Sequence, residues 1–495
     1  MKYSTIKIYF LIALGALSFT GCKKFLDVNT NPNIATDLEV ELVLPSSQVA
    51  IAHVLGNQFQ VNGSFWAQYW TQSPLANQYK QYDQYQPSTD NYNRSWRILY
   101  SDALTDLQYV YSKAKSKNSK QYMAVSRLLT AYTYQMIVDA WGEAPYTEAL
   151  NALEADGAIV NPKYDMESVV YEGIVAQIDE AISLIDIETA AHPGNDDLIY
   201  QGDMAHWMLF ASTLKLKVAM RMSEINPARA QAIIATIESD PKFLGYISAE
   251  GEDAKVMFTT DGGSQNPLYS EMVGLSKTQN LFASSTCVDS MNSNFDPRAF
   301  VFYKPTTAGT IVGITQGDYS NSTNATGKSI PSSSVSGEAA NENSATAPVR
   351  LISSYESLLL QTEAAARGWS AGDDAALYSS AIDASFEAYG VTDATEITYY
   401  KDSTNWGVYP ATGTTQEKVR HIITQKWFSM CGNQGFEAWT EWRRTGYPDF
   451  LVISVNSLIG TQRPARFLYP TDEINLNSSF PGVKSVEKRV WWDIN

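Results

Sequence analysis

The sequence predicts a mainly α fold in which successive antiparallel helix pairs stack into a solenoid-like bundle with an elaborated loop side. Three observations carry that prediction. Apolar residues recur at three- and four-residue spacing over long stretches. Helix stop-and-restart signals separate those stretches. One long segment is too polar to belong to any core.

Taken in order, the periodicity predicts helices from Tyr92 to Ala114 and from Gln121 to Ala140; in the second, Leu128, Leu129, Tyr132, Met136, Ile137 and Ala140 form one stripe. Further helices are predicted at 166–185, 203–224, 227–238, 351–367, 374–389 and 415–430. Asn226-Pro227 marks a boundary, because asparagine caps and proline suits the first helical turn. No strict 34-residue repeat emerges, so helix pairing alone supports the repeat reading. The segments 240–275 and 303–348 break the pattern. The second is rich in Gly, Ser, Thr and Asn, has few large apolar residues after Ile314, and reads as a long surface excursion or irregular hairpin. Long loops on a helical scaffold are where binding usually sits. No shift of composition divides the remainder, and residues 22–495 read as one domain.

The chain has 495 residues, 44% of them hydrophobic, and a formal net charge of −17. Such acidity, with no basic patch, excludes nucleic acid as a partner. At the N-terminus, Lys2 and Lys7 precede an apolar run from Ile8 to Phe19, which fits the central region of an export signal and is short for a bilayer span. The run ends in Thr20-Gly21-Cys22, small residues before a cysteine, with Phe19 where leucine is usual. Residues 1–21 therefore read as a lipoprotein signal peptide, Cys22 as the acylated residue that anchors the body to a membrane, and 22–44 as a tether that then docks. Only Cys287 and Cys431 then remain, and spacing leaves open whether they pair.

Signals for catalysis and metal binding are weak. The four histidines, His53, His192, His206 and His421, form no H-x-x-x-H pair, and there is no C-x-x-C, nucleophile elbow, Walker loop or dinucleotide fingerprint. Asp27, Asn29 and Asn31 fall at calcium-loop spacing, but Pro32 and Leu38 occupy the places of the glycine and glutamate, so turn chemistry is the simpler reading. Cys431 lies ten residues after His421, and a structural role is expected for it. In a chain with 53 acids a pair of carboxylates is no evidence of glycoside hydrolysis. No catalytic residue, metal or cofactor is expected.

Several ordered blocks carry a resemblance. They are CKKFLDVNTNPN at 22–33, QMIVDAWGEAPYTEAL at 135–150, MNSNFDPR at 291–298, YESLLLQTEAAARGW at 355–369, ITQKWFSMCGNQGFEAWTEWRRTGYPDF at 423–450 and RPARFLYPTDEINLN at 463–477. The chain resembles the SusD/RagB family of nutrient-binding outer-membrane lipoproteins, in particular its SusD-like branch. The resemblance implies a superhelix of tetratricopeptide-like helix pairs with a loop-rich ligand-binding side and no enzymatic activity. It also implies a protein at the cell surface that captures an oligosaccharide, or in some members a peptide, and hands it to a TonB-dependent barrel of the SusC type. Lys23 and Lys24 depart from the acids that often follow the lipidated cysteine of surface-exported relatives. Within the family blocks, Arg443 and Arg444 read as scaffold that pairs with Glu437 or Glu441 or caps carbonyls, and Asp296-Pro297-Arg298 as a turn with a charge-assisted bond.

A sugar platform combines exposed rings with amides and carboxylates, since sugars present apolar C–H faces and hydroxyl rims. Seven of the 24 residues from 62 to 85 are aromatic, among many glutamines and asparagines. Phe65, Trp66, Tyr69 and Trp70 are predicted on one helix, mixing core with rim. Beyond Pro74, Tyr79, Tyr82 and Tyr85 recur every three residues around Asp83 with no aliphatic partner after Leu75 and Ala76, the composition of an exposed platform. Trp406 and Tyr409 are expected to form a second loop cluster that closes over the same surface. The candidate ligand contacts are therefore Trp66, Trp70, Tyr79, Tyr82, Asp83, Tyr85, Trp406 and Tyr409.

Overall fold

The computed structural model describes residues 37–151 and 157–495. The signal segment, Cys22, the spaced acid and amides at 27–31 and most of the 22–44 tether lie outside them. The predicted helices form at Thr105–Ser116, Lys120–Trp141, Glu167–Leu184, Met204–Arg221, Pro227–Glu238, Ser354–Ala366, Asp374–Ala388 and Thr415–Ser429. Asn226 caps the Pro227 helix, accepting from the Arg229 backbone N–H at 3.2 Å. Neighbours in sequence pack as pairs: Lys120–Trp141 against Glu167–Leu184, Met204–Arg221 against Pro227–Glu238, and Ser354–Ala366 against Asp374–Ala388. The architecture is the mainly α, tetratricopeptide-like one expected, and Val40–Asn495 form one compact unit.

Periodicity did not reveal the helix Val40–Val54, which runs through a π turn at Leu55–Phe59 into Gln60–Trp66. Its buried positions include Ser47, Gln48, Gln60 and Asn62, so polar side chains interrupt the apolar stripe. Gln60–Trp66 crosses Gly435–Thr445 at backbone contact. A Cβ on Gly63 would lie 2.2 Å from the Phe436 nitrogen, and one on Gly435 would lie 2.6 Å from the Ser64 nitrogen. Around that crossing Phe59, Trp66, Tyr92, Trp141, Phe436, Trp439 and Phe467 form one ring cluster, with Trp439 and Phe467 stacked at 5.5 Å.

Ion pairs fix the helices to one another behind this cluster. Arg221 is fully buried and reaches Glu437 at 2.6 Å, Asp139 at 3.2 Å and also Glu441. Lys217 bridges Glu356 at 2.7 Å and Glu437 at 2.9 Å. Arg444 reaches Glu363 and Glu441, each at 2.6 Å. Arg443 donates to the Ala465 carbonyl at 2.8 Å and lies over the Trp439 ring at 3.5 Å. Asp296 and Arg298 close their turn with a 2.6 Å pair. For Arg443, Arg444 and the Asp296–Arg298 turn these are the scaffold roles the sequence assigns; Arg221 and Lys217 carried no such expectation. Removing one partner of such a pair strands a buried charge and costs about 3–5 kcal/mol.

Strands are few: Trp70–Gln72 pairs with Leu281–Ala283, Ala144–Pro145 with Tyr164–Asp165, and Ala254–Val256 with Val349–Ile352, all antiparallel. The 303–348 segment is irregular, as composition predicts, with three short 3₁₀ turns. It is not simply a surface excursion. Ile311, Ile314, Gln316, Val335 and Ala345 are buried, because the sparse apolar residues and one amide are spent on docking it to the body.

A polar cleft beside the tyrosine-rich segment

The aromatic segment bends where its sequence pattern suggests one helix. Gln60–Trp66 ends, Gln68 takes a positive φ of 63°, and Trp70 begins a strand, so Tyr69 and Trp70 lie off the helix. Trp66 is 3% exposed and donates its indole N–H to the Tyr82 carbonyl at 3.1 Å; Trp70 is 0% exposed. Neither presents a rim.

The exposed platform expected at Tyr79, Tyr82 and Tyr85 is corrected in the same way: all three are buried, at 4%, 4% and 2%. Their partners come from within the segment and from distant chain, not from aliphatic neighbours in sequence. Tyr79 and Tyr82 stack at 6.0 Å, and each meets Phe65 edge-on at 6.0 and 5.8 Å. Tyr85, at φ 56°, points inward and accepts from the Ser454 N–H at 3.1 Å. Asp83 is likewise enclosed. It accepts from Thr71 Oγ1 at 2.9 Å, the Gln72 N–H at 2.7 Å and Gln316 Nε2 at 2.6 Å, yet burial pushes its carboxyl up to about 7. Trp406 is buried and packs on His421 at 5.0 Å, while half-buried Tyr409 donates to Asp374 at 2.8 Å. That loop folds onto the helices Asp374–Ala388 and Thr415–Ser429 rather than closing over the tyrosines.

Tyr79 and Tyr82 nevertheless form one wall of a cleft of about 160 Å³. His53, Val54, Asn57, Gln58 and Val61 line it from the first helical segment, Ser95 and Ile98 from the next, and Gln78, Gln81, Asn91, Arg94 and Glu271 complete the lining. The helix-to-π passage turns Asn57 and Gln58 toward this space. The groups are braced. Tyr79 Oη donates to Glu271 at 2.5 Å, Asn57 Nδ2 to the Pro267 carbonyl at 3.2 Å, and Gln58 joins Ser95 and the Asn91 carbonyl. Burial, then the Glu271 carboxylate, hold the Tyr79 phenol well above its ordinary range, and burial takes Tyr82 to about 12, so both stay neutral donors. Burial, then Arg94, lower the His53 imidazole below its usual value. A space of this volume matches roughly one six-membered ring, and its lining offers ring faces, amides, a guanidinium and a carboxylate. Gln58, Asn91, Arg94 and Glu271 carry no sequence signal of their own; only folding converges them on the tyrosines.

Cys287 and Cys431 are free, buried thiols 3.8 Å apart, and Tyr303 Oη lies 3.3 Å from Cys431. Burial pushes the Cys431 thiol far up, and His421 packs on Trp406 instead of meeting it. Among the described residues no group of three or more potential ligand side chains is placed to hold a metal ion, and no helix is long and apolar enough to cross a membrane.

The body is thus a scaffold of helix pairs that holds a polar cleft lined by rings and amides. A family profile described as "Starch-binding associating with outer membrane" matches residues 32–470, and the chain belongs to this SusD-like family. Solved structures agree on the fold. A chitin-binding protein is 23% identical, covering 92% of this chain and all of its own, at a TM-score of 0.77. A chitin-binding SusD homologue from Flavobacterium johnsoniae is 22% identical, covering 92% of this chain and 99% of its own, at 0.74. A SusD homologue from Bacteroides thetaiotaomicron is 21% identical, covering 93% and 100%, at 0.73. No curated protein matches.

Proposed function

We propose that this protein is a non-enzymatic capture protein for a neutral oligosaccharide, which it delivers to a TonB-dependent transporter of the SusC type in the outer membrane. In this reading Cys22 carries the acyl chains and the body faces the cell exterior. Family membership supports the class of function. The observation that carries the ligand class is the cleft: two neutral tyrosines facing amides in a space the size of one sugar ring. Aromatic area gives contact at small entropic cost, and amides both donate and accept, which suits hydroxyl groups. Peptide capture is the second reading, favoured by Arg94 and Glu271, opposite charges in one small cleft.

Titration calorimetry of a chain beginning after Cys22 separates the two. Maltohexaose, chitohexaose and a defined set of hexapeptides are the probes. Heat with one of the hexasaccharides, weakened about tenfold or more in a Gln58→Ala/Arg94→Ala variant, is the expected result. Binding of the hexapeptides alone transfers the assignment to the second reading. Silence from every probe removes both.

A further inference from the structure

Among the described residues, only Phe295, Phe300 and Tyr399 are aromatic side chains with substantial exposure, at 65%, 57% and 47%. All three line the same groove, of about 580 Å³, on a face built from the 292–300 turn and the helix Ala394–Ser403. Burying an aromatic side chain stabilises a fold, so three rings left in water at one place forgo a gain that the other aromatic residues take.

Both walls are held from behind. Phe295 sits at φ 50°, a left-handed conformation unfavourable for a residue with a bulky Cβ substituent. The turn is fixed by the Asp296 N–H to Met291 carbonyl bond at 3.0 Å and by the buried Asp296–Arg298 pair. Arg298 also donates to the hydroxyl of Tyr400 at 3.1 Å, and Tyr400, fully buried, is the neighbour of Tyr399 on the opposite wall. The Phe295 and Tyr399 rings meet at right angles, 5.5 Å apart. The rings are thus presented on a braced frame, which lowers the ordering cost of binding.

The chemistry of the lining selects the occupant. Besides the three rings it holds Asn292, Thr395, Glu396, the Pro297 ring and Asp296, whose carboxylate is buried against Arg298, with no open-chain aliphatic side chain and no cation. A lipid tail or an apolar helix face is poorly matched by such a lining, and an anionic ligand is opposed by Glu396 and by the net charge of −17. A neutral saccharide fits: its C–H faces stack on rings while amide, hydroxyl and carboxylate take its hydroxyls. The volume lies in the range that holds a ligand of several rings.

We propose that the Phe295–Phe300–Tyr399 groove is a second saccharide-binding site, separate from the tyrosine-walled cleft, that takes several consecutive sugar units of a neutral polymer. This rests on the saccharide reading above. The test uses a chain beginning after Cys22 with maltohexaose and chitohexaose by calorimetry, and with insoluble starch and chitin by retention. The Phe295→Ala/Phe300→Ala/Tyr399→Ala variant is expected to melt as the parent does, since the side chains are exposed, and to lose about tenfold or more in polymer retention. Tyr399→Phe, which keeps the ring, is expected to retain the polymer. Hydrogen exchange at 292–300 and 394–400 of the unsubstituted protein is expected to slow on adding the hexasaccharide that binds. Parental retention by the triple variant, or unslowed exchange in both segments, overturns the groove assignment while leaving the cleft reading in place. A parent that binds no saccharide overturns the saccharide reading and this one with it. Dimerisation of the parent that the triple variant abolishes assigns the groove to a second copy of the chain, and also overturns it.

Discussion

At Asp83 a carboxyl accepts three hydrogen bonds and still has its proton affinity raised, because burial outweighs the three donors. The same burial governs the two cysteines. Both Sγ atoms lie inside the core, closed to reagents, and burial holds the Cys431 thiol far above its ordinary range. In a reduced chain beginning after Cys22, a disulfide reagent such as DTNB is expected to titrate no thiol in the native protein and both in guanidinium chloride. Rapid native labelling would show that the Cys287–Cys431 contact opens. Residue composition revealed the importance of the tyrosine segment but not its direction. Tyr79, Tyr82 and Tyr85 lack aliphatic neighbours in sequence, and their enclosure comes from Phe65 earlier in the segment and from Glu271 and Ser454, which no local window contains. The exposed rings lie instead at Phe295, inside the MNSNFDPR block, at Phe300 just beyond it, and at Tyr399.

At the scale of elements, the long helices were legible because their apolar residues recur at helical spacing and several begin at a capping side chain, as with Asn226 before Pro227 or Asp373 before Asp374–Ala388. The segment Val40–Trp66 was not. Polar side chains buried on all sides and the π turn at Leu55–Phe59 shift the phase of its pattern. Its packing depends on two glycines without positive φ, chosen for the absence of a side chain where helices touch. Gly63→Ala is expected to destabilise by about 2 kcal/mol or more, because the added methyl meets backbone rather than a movable side chain. Gly251→Ala, with nothing within 4 Å of the added carbon, is the control. Chemical denaturation of the two variants checks it; equal midpoints would show that the crossing relaxes freely.

For the molecule as a whole, buried charge sets a pH optimum. Burial raises Asp83 and Glu167 to about 7 and Asp493 to about 6, from ordinary values near 4. Between those limits the folded state keeps protons that the unfolded state releases. Their stabilising contribution is complete below the unfolded values and is lost as pH rises through 6 to 7. Glu437 runs the other way: burial opposes ionisation, but Arg221, Lys217 and Lys426 outweigh it and hold the carboxyl at about 2. Its contribution is complete above the ordinary value of 4.5 and is lost as pH falls through 2. Melting temperature is therefore expected to peak near about pH 4.5, falling toward both pH 3 and pH 8. A calorimetric profile flat from pH 5 to 8 would contradict the raised carboxyls. The mainly α class and the family were legible from ordered blocks such as YESLLLQTEAAARGW, whose glutamates Glu356 and Glu363 are members of the buried charge network. Which acids met which bases was not, since the network joins five helices spread from Asp139 to Arg444.

The crossing at Gly63 and Gly435 also bears on how the chain reaches this state. The Gly435 N–H donates to Gln60 Oε1 at 2.9 Å across 375 positions of sequence. The first long helix segment thus waits for almost the last one before its bare face is covered, a loop closure that comes late and slowly. A chain still emerging from a ribosome holds no completed core around Phe59 and Trp66 until the residues near 435 arrive.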